Sequence, residues 1–246
     1  MIDSGWDEDT ALDALAETLT EALRPMAPKQ LPAPALDAGT PTLAAGDREV
    51  AVLGTLRHPR LVVFGDLLAA DECVELIAMA RQRLARSETV VESDGASAVN
   101  EARTSDGMFF ERGENALVAR IEARIAALLN WPVENGEGLQ ILRYRPGAEY
   151  KPHYDYFDPA QPGTSALLQR GGQRLATLVM YLNTPARGGA TTFPDVQFEV
   201  MPVRGNAVFF SYELPLPETR TLHGGAPVLE GEKWVATKWL RADRFD

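Results

Sequence analysis

The segment LQILRYRPGAEYKPHYDYF (residues 139–157) contains two runs rich in branched and aromatic side chains, separated by a Pro-Gly turn. Such runs on either side of a turn predict two β-strands, Leu139–Tyr144 and Tyr150–Tyr156. His153 and Asp155 lie two positions apart in the second run. Because residues i and i+2 of a strand point to the same face, this strand would present an imidazole and a carboxylate together. By itself such a pair is only a weak indication of a metal site.

The pattern extends to further elements on both sides of this segment. Upstream, apolar residues recur at helical spacing and predict amphipathic helices over Asp71–Arg86 and Asn115–Leu129. Short apolar runs punctuated by Gly and Pro predict additional strands at Leu61–Phe64, Leu175–Leu182, Thr191–Phe193, Phe198–Pro202, Asn206–Phe210, Thr221–His223 and Trp234–Leu240. Helices followed by many short strands predict an α+β, mainly β fold, with helices packed on one face of a β-sandwich or barrel.

The first part of the chain has a different composition. Residues 8–24 place four leucines at helical spacing, whereas residues 25–46 contain five prolines and many alanines. We therefore predict an N-terminal helix and linker over residues 1–46 and one folded domain over residues 47–246. The helix either packs on that domain or contacts a second copy or another partner, so the sequence leaves a homodimer open.

The charge balance narrows the range of partners. The 246-residue chain carries a formal net charge of −11 and has a sequence pI near 4.8, which disfavours nucleic acid and anionic membranes as partners. The N-terminal residues lack the positive start and apolar core of a secretory signal, and no apolar run approaches the roughly 20 residues of a membrane span. The lone cysteine, Cys73, excludes an intramolecular disulfide and is expected to be buried. We therefore expect a soluble, cytoplasmic protein.

A second segment, LHGGAPVLEGEKWVATKWLR (residues 222–241), supplies the candidate for a second imidazole, His223. Two imidazoles and one carboxylate on one side of an ion leave its other positions open, which is typical of non-haem Fe(II) oxygenases. Zinc would favour a tetrahedral site with a single open position.

The same segment also offers a cation. Lys233 follows His223 by ten residues and lies just before a predicted strand, and by alternation Lys233 and Trp239 share one face. A lysine directed into an apolar barrel needs an anionic partner, because burying an unpaired ammonium is very costly. A dicarboxylate cosubstrate would supply that anion. Lys238 has the opposite parity and is predicted to be a solvated charge.

From about Phe64 to Arg241 the chain resembles the catalytic domain of the prolyl 4-hydroxylase family of 2-oxoglutarate/Fe(II) oxygenases. The resemblance rests on five segments in the family's order and with similar spacing. They are RTSDGMFF (103–110), ENGEGLQILRYRPGAEYKPHYDYF (134–157), RLATLVMYLNTPARGGATTFP (174–194), GNAVFF (205–210) and HGGAPVLEGEKWVATKW (223–239). The resemblance implies a double-stranded β-helix (jelly-roll or cupin-like) core, and it makes residues 47–246 a dioxygenase domain.

The resemblance also implies roles for individual residues. The implied iron ligands are His153, Asp155 and His223. The residues implied to hold 2-oxoglutarate are Lys233, which would pair with its distal carboxylate, Tyr144 and Thr177, which would hydrogen-bond the same end, and Trp239, which would line the pocket. The residues implied to face a peptide substrate are Arg103, Ser105, Glu137 and Tyr150. The enzyme would bind Fe(II), consume 2-oxoglutarate and O2, and release succinate and CO2. L-ascorbate would serve as the reductant.

Several alternatives stay open at this point. Tyr144 and Thr177 would otherwise be satisfied core hydroxyls, Arg103 a surface charge, and Glu137 an ordinary exposed carboxylate after a turn. The substrate is either a prolyl residue in a peptide or protein, or a free amino acid or other small metabolite. A non-enzymatic binding module on the same fold is a third hypothesis. Residues 158–173 form a polar, Gly-rich stretch that either closes over a peptide or simply connects two strands.

Overall fold

The computed structural model describes residues 18, 30–36, 40–86, 88–90, 97–99 and 104–246. Apart from Thr18, the predicted N-terminal helix lies outside the described residues, and so does Arg103. The predicted two-part organisation of the chain therefore stays a prediction. Within the predicted linker, Ala33 N donates to Leu129 O at 2.9 Å, so the extended stretch contacts the folded domain.

The described chain is built mainly from short strands, with three α-helices. In chain order the elements are β1 (Thr42–Ala45), β2 (Arg48–Leu56), β3 (Arg60–Gly65), α1 (Ala70–Arg81), β4 (Ala85–Arg86), β5 (Glu88–Val90), β6 (Ser97–Val99), β7 (Asp106–Phe110), α2 (Ala116–Leu129), β8 (Leu139–Tyr144), β9 (Tyr150–His153), α3 (Thr164–Gln169), β10 (Arg174–Tyr181), β11 (Arg187–Gly188), β12 (Thr191–Phe193), β13 (Phe198–Val200), β14 (Ala207–Ser211), β15 (His223–Gly225), β16 (Val228–Glu230) and β17 (Lys233–Arg241). The predicted α+β, mainly β architecture is confirmed.

Two antiparallel sheets form the framework. The major sheet has nine strands in the order β1-β2-β3-β14-β10-β17-β8-β7-β4, and the minor sheet has four in the order β13-β12-β15-β9. Two further pairs, β11-β16 and β5-β6, are separate small sheets. Strands distant in sequence become neighbours in these sheets. In the minor sheet β9 and β15, which carry His153 and His223, lie side by side.

The centre of the major sheet is buried on both faces, and β17 shows this most clearly because all nine of its residues are buried. Its alternate residues Trp234, Ala236 and Leu240 join the apolar core that includes α1 and α2. Val235 faces the other way, into a second core between the two sheets. The period-two alternation of a strand thus separates a helix-facing side from a barrel-interior side.

Several predicted boundaries differ from the observed ones. The predicted helix Asp71–Arg86 ends at Arg81, because Ala85–Arg86 leave it to form an edge strand beside β7. Strands β1 and β2 were not predicted, and β1 occupies residues of the predicted linker. Residues 158–173 are not wholly a loop, since they contain α3. No helix among the described residues is long and apolar enough to cross a membrane.

Candidate active site

Three side chains from the two predicted segments converge at one point between the sheets. His153 on β9 and His223 on β15 are directly opposed in the antiparallel register. Each histidine points its Nε2 at Asp155, at 3.6 Å from Oδ1 for His153 and 3.4 Å from Oδ2 for His223. One ligand atom from each of the three residues lies within 4.8 Å of the others. The predicted cluster of two imidazoles and a carboxylate therefore exists.

Asp155 reaches this cluster in a different way from the one predicted. Strand β9 ends at His153, and Asp155 lies in a bend two residues later rather than on the strand. The prediction that the strand continues to Tyr156 is wrong. The chain turns after His153 and brings the carboxylate beside both imidazoles, so i/i+2 strand geometry does not explain the pair.

The close approach of β15 to β9 depends on a glycine. A Cβ on Gly224 would lie 2.9 Å from Tyr150 O, closer than real Cβ atoms come, and a tight 3.2 Å from Pro152 N. The absence of a side chain after His223 therefore lets the two histidine-bearing strands pair. The strand predicted at Thr221–His223 is displaced along the chain, since β15 begins at His223.

Backbone carbonyls orient both imidazoles. His153 Nδ1 lies 2.9 Å from Lys151 O, and His223 Nδ1 lies 3.0 Å from Thr221 O. A carbonyl only accepts, so each Nδ1 carries the proton and each Nε2 presents a lone pair toward Asp155. This is the tautomer that a metal ligand needs.

The charge states at the cluster also suit a cation. Burial, followed by the neighbouring His223, lowers the pKa of His153, which keeps that imidazole neutral. Burial alone would raise the pKa of Asp155, but its interactions with His223 and His153 hold it well below its usual value. Neutral imidazoles and an ionised carboxylate are the forms that bind metal ions. The donor set therefore fits a divalent ion such as Fe(II).

Lys233 lies in the same core, at the start of β17 opposite Tyr144 of β8. Its side chain is only 4% exposed, and its Nζ lies 5.5 Å and 5.8 Å from the ring centroids of Tyr144 and Tyr181. A Cβ on Gly189, where φ is +75°, would lie 3.2 Å from Lys233 Cδ, so the lysine stem is tightly enclosed.

No carboxylate among the described residues pairs with Lys233. Burial lowers the pKa of its ammonium to about 7, and no neighbouring acid opposes that effect. A buried cation without a counter-ion is costly, so the site fits a ligand that brings a carboxylate to Lys233. The predicted interior orientation of Lys233 is thereby observed, and a dicarboxylate such as 2-oxoglutarate suits it.

Lys238 corrects a prediction. Instead of being solvated it is 2% exposed, and its Nζ pairs with Glu122 on α2 and donates to the Glu137 carbonyl. The prediction that Lys238 points to the opposite face of the strand from Lys233 is correct. That face is covered by helix α2 and not by water.

Glu137 also differs from the ordinary exposed carboxylate considered above. It is 7% exposed, and its carboxylate accepts from Arg174 at 2.6 Å and 2.9 Å and from Arg241 at 3.0 Å. Arg174 in turn lies 4.0 Å from the ring centroid of Trp239 and donates to Asp155 O at 3.3 Å. This buried cluster joins the predicted pocket wall to the backbone of a candidate metal ligand.

The other predicted substrate and cosubstrate residues are placed as follows. Tyr150 is partly exposed and stacks on His153 with ring centroids 3.7 Å apart, whereas Ser105 is fully buried. Thr177 lies on the barrel-interior side of β10 and donates to Asp155 Oδ2 at 2.7 Å.

One residue that sequence reasoning missed, Tyr212, lies 3.2 Å from Thr177. Tyr212 directly follows β14, and its i/i+2 spacing from Phe210 of that strand was the signal for an interior position.

The class of protein follows from comparison with known proteins. Residues 139–241, which carry all three candidate ligands and Lys233, match the model of the 2OG-Fe(II) oxygenase superfamily. A viral collagen prolyl hydroxylase from Paramecium Bursaria Chlorella virus-1, solved with 2OG, superposes with a TM-score of 0.57 at 30% identity, covering 74% of this chain and 95% of that one. The jelly-roll type of fold is confirmed.

The curated relatives identify the family within that class. Prolyl 4-hydroxylase 2 of Arabidopsis thaliana is 38% identical over 211 residues, covering 76% of this chain and 69% of that protein. Prolyl 4-hydroxylase 1 of the same plant is 41% identical over 201 residues, with 74% and 69% covered. The chain belongs to the prolyl 4-hydroxylase family of 2-oxoglutarate/Fe(II) oxygenases. It is a 2-oxoglutarate-dependent dioxygenase, and Fe(II) and 2-oxoglutarate are its confirmed cofactor and cosubstrate.

Proposed function

We propose that this protein hydroxylates a prolyl residue in a peptide or protein, with O2 as the oxidant and succinate and CO2 as co-products. The observation that carries the 2-oxoglutarate chemistry is Lys233, a buried cation without an acidic partner in the described structure, in the same core as the cluster of two imidazoles and a carboxylate. The prolyl substrate is supported by the names of its relatives, which are prolyl 4-hydroxylases and a collagen prolyl hydroxylase.

Each part of the site has a distinct task in this reaction. The bound metal and cosubstrate together supply the oxidising power that places one oxygen atom of O2 on a C–H carbon and the other in succinate. His153 and His223 offer their Nε2 lone pairs and Asp155 a negative charge, so the protein would hold the metal with a single anion. Lys233 neutralises the far carboxylate of 2-oxoglutarate and thereby fixes its orientation.

The apolar wall around these groups limits side reactions. Leu142, Val235 and the ring of Tyr144 are buried in the core between the sheets. A water-poor wall strengthens the Lys233–carboxylate attraction and protects the reactive centre from unproductive reduction. In this proposal, Tyr144 adds a hydrogen bond to the far carboxylate, since its ring is beside Lys233. Trp239 lines the same pocket, and Arg103, Ser105, Glu137 and Tyr150 retain their proposed place on the peptide side.

Spectroscopic titration tests the cosubstrate site without any substrate. Addition of Fe(II) and 2-oxoglutarate to the anaerobic protein is expected to give a weak visible charge-transfer band. The Asp155→Ala variant is expected to lack that band because it removes the only carboxylate of the cluster. A parent protein without the band would instead favour a binding module on the same fold.

Mass spectrometry tests the substrate. Proline-rich peptides and free amino acids are incubated separately, with and without 2-oxoglutarate, and scanned for a 16 Da mass increase. The proposal predicts a gain on prolyl residues of peptides that depends on 2-oxoglutarate. A gain confined to free amino acids would show that prolyl hydroxylation of peptides is wrong while leaving the iron chemistry intact.

Two further parts of the proposal concern the cellular setting. L-ascorbate would maintain the iron as Fe(II), and omission of ascorbate is expected to shorten the period of linear turnover. The acidic chain with a single buried cysteine suits a cytoplasmic location, which fractionation of the producing cells would test.

A further inference from the structure

We propose that Tyr212 and Thr177 form a hydrogen-bond relay that fixes the orientation of the Asp155 carboxylate for metal binding. The inference rests on the metal site of the proposed function, but it is independent of which molecule is hydroxylated. Neither residue is a metal ligand, so both act as positioning residues through Asp155.

The direction of the relay follows from proton counting. Thr177 Oγ1 lies 2.7 Å from Asp155 Oδ2 and 3.2 Å from the Tyr212 hydroxyl. The Thr177 hydroxyl donates to the Asp155 carboxylate, and that bond uses its single proton. Thr177 then has only lone pairs for Tyr212, and the Tyr212 hydroxyl must donate to it. The sequence of donors is therefore Tyr212, Thr177 and then Asp155.

Both hydroxyls of the relay are held in packed surroundings, Thr177 within β10 and Tyr212 directly after the end of β14. Thr177 is fully buried in β10, next to β14 and β17 in the sheet order. Tyr212 is 2% exposed, its backbone N donates to Leu175 O at 3.0 Å, and its ring packs against Tyr156 at 5.8 Å between centroids. Through its two hydroxyls, the relay thus links the major sheet to the bend in which Asp155 lies.

Burial increases the energetic weight of these bonds. Desolvation raises the pKa of Tyr212 well above its usual value, so the phenol stays protonated and remains a donor. Hydrogen bonds to a charged acceptor in a dry site are stronger than neutral ones, and partners of metal ligands commonly change metal affinity by about 10–100-fold.

The relay has a consequence for the cosubstrate. Because the Thr177 proton is committed to Asp155, Thr177 cannot also donate to a carboxylate of 2-oxoglutarate. The role we assign to Thr177 is therefore to support the metal carboxylate. The far end of 2-oxoglutarate is left to Lys233 and the neighbouring Tyr144.

Metal affinity of the apo-protein tests the relay without turnover. Mn(II) binding is followed by electron paramagnetic resonance, and Co(II) binding by its visible absorption, in the absence of 2-oxoglutarate and substrate. Tyr212→Phe and Thr177→Val are each expected to weaken binding by about 10-fold or more. Thr177→Ser keeps the donor and is expected to restore most of the affinity. Tyr212→Phe in the Thr177→Val background is expected to cause no further loss, because the relay is already broken.

Tyr156→Phe is the matched control. Tyr156 is 8% exposed and packs on Tyr212, but it contributes no hydroxyl to the relay, so its variant is expected to bind metal like the parent. Equal metal affinity of the parent and Tyr212→Phe, or full additivity of the two relay variants, would overturn the relay. A parent protein that binds neither metal would overturn the metal site itself, which is a distinguishable result.

Discussion

Lys233 and Lys238 lie five residues apart on the same strand, and both are almost completely buried, yet their surroundings are opposite. Lys238 faces the helix layer, where it pairs with Glu122. Lys233 faces the barrel interior, where tyrosine rings surround it and no acid among the described residues meets it. Burial lowers the pKa of both ammonium groups, but only for Lys238 does an adjacent carboxylate oppose that effect.

The difference separates a structural cation from a functional one. An ion pair that is complete within the protein contributes to the folded state, whereas an unpaired buried charge destabilises it until a ligand arrives. Burial and charge alone would not distinguish these two lysines. The presence or absence of an internal partner does, and variants of the two residues are expected to fail in different ways.

The largest expected effect is on stability. Lys238→Met leaves Glu122 buried without its cation and is expected to lower the free energy of unfolding by about 3–5 kcal/mol. Denaturant unfolding of the metal-free protein measures it. The double variant Lys238→Met with Glu122→Leu removes both charges and is expected to recover much of the loss. A Lys238→Met protein as stable as the parent would show that the Lys238–Glu122 pair does not stabilise the fold.

Next in size is the effect of Lys233→Met on cosubstrate affinity. Loss of the cation is expected to raise the dissociation constant for 2-oxoglutarate by about 100-fold, within the range known for removing one partner of a buried charge pair. The free energy of unfolding of the ligand-free variant is expected to equal or exceed that of the parent, because an unpaired buried charge has been removed. Calorimetric titration and denaturant unfolding measure the two quantities. Unchanged affinity would show that the anion binds elsewhere.

A smaller effect is expected on changing the pH. The pKa of Lys233 is lowered to about 7 in the free protein, so the ammonium predominates below pH 7 and the neutral amine above it. Because the ligand carboxylate needs the ammonium, its apparent dissociation constant is expected to rise by about tenfold per pH unit above neutrality, with proton uptake on binding.

Calorimetry at pH 8 in buffers of different ionisation enthalpy measures that proton uptake directly. Lys233→Arg is the control, since a guanidinium stays charged throughout this range and should remove the slope. A parent protein whose affinity for 2-oxoglutarate is constant from pH 7 to pH 9 would contradict the prediction that buried Lys233 loses its charge in this range.

The smallest expected effect concerns the tyrosines beside Lys233. Tyr144→Phe removes one neutral hydrogen bond to the ligand and is expected to weaken 2-oxoglutarate binding by a few-fold, corresponding to about 0.5–1.5 kcal/mol. Tyr181→Phe is the control, because the Tyr181 hydroxyl already donates to Thr191 at 2.8 Å. Equal losses in the two variants would indicate a general packing effect rather than a bond to the ligand.

Local patterns predicted a substantial part of this architecture. Strand and helix periodicity located most elements of the major sheet and identified the interior face of β17, because alternation is a property of the backbone itself. His153, Asp155 and His223 were recognisable from residue type and spacing. The boundaries at Arg81 and His153 were not, since each depends on which distant strand is available for pairing.

The sequence by itself determined the family, the ligand types and the opposite orientations of Lys233 and Lys238 on their strand. The tertiary structure alone decided which charges have partners. Helix α2 brings Glu122 to Lys238, β10 brings Arg174 to Glu137, and the end of β14 brings Tyr212 to Thr177. These contacts join residues 35 to 116 positions apart, so no local pattern encodes them. Lys233 differs from Lys238 for the same physical reason: long-range packing supplied an anion on one face of the strand and left the other face for the ligand.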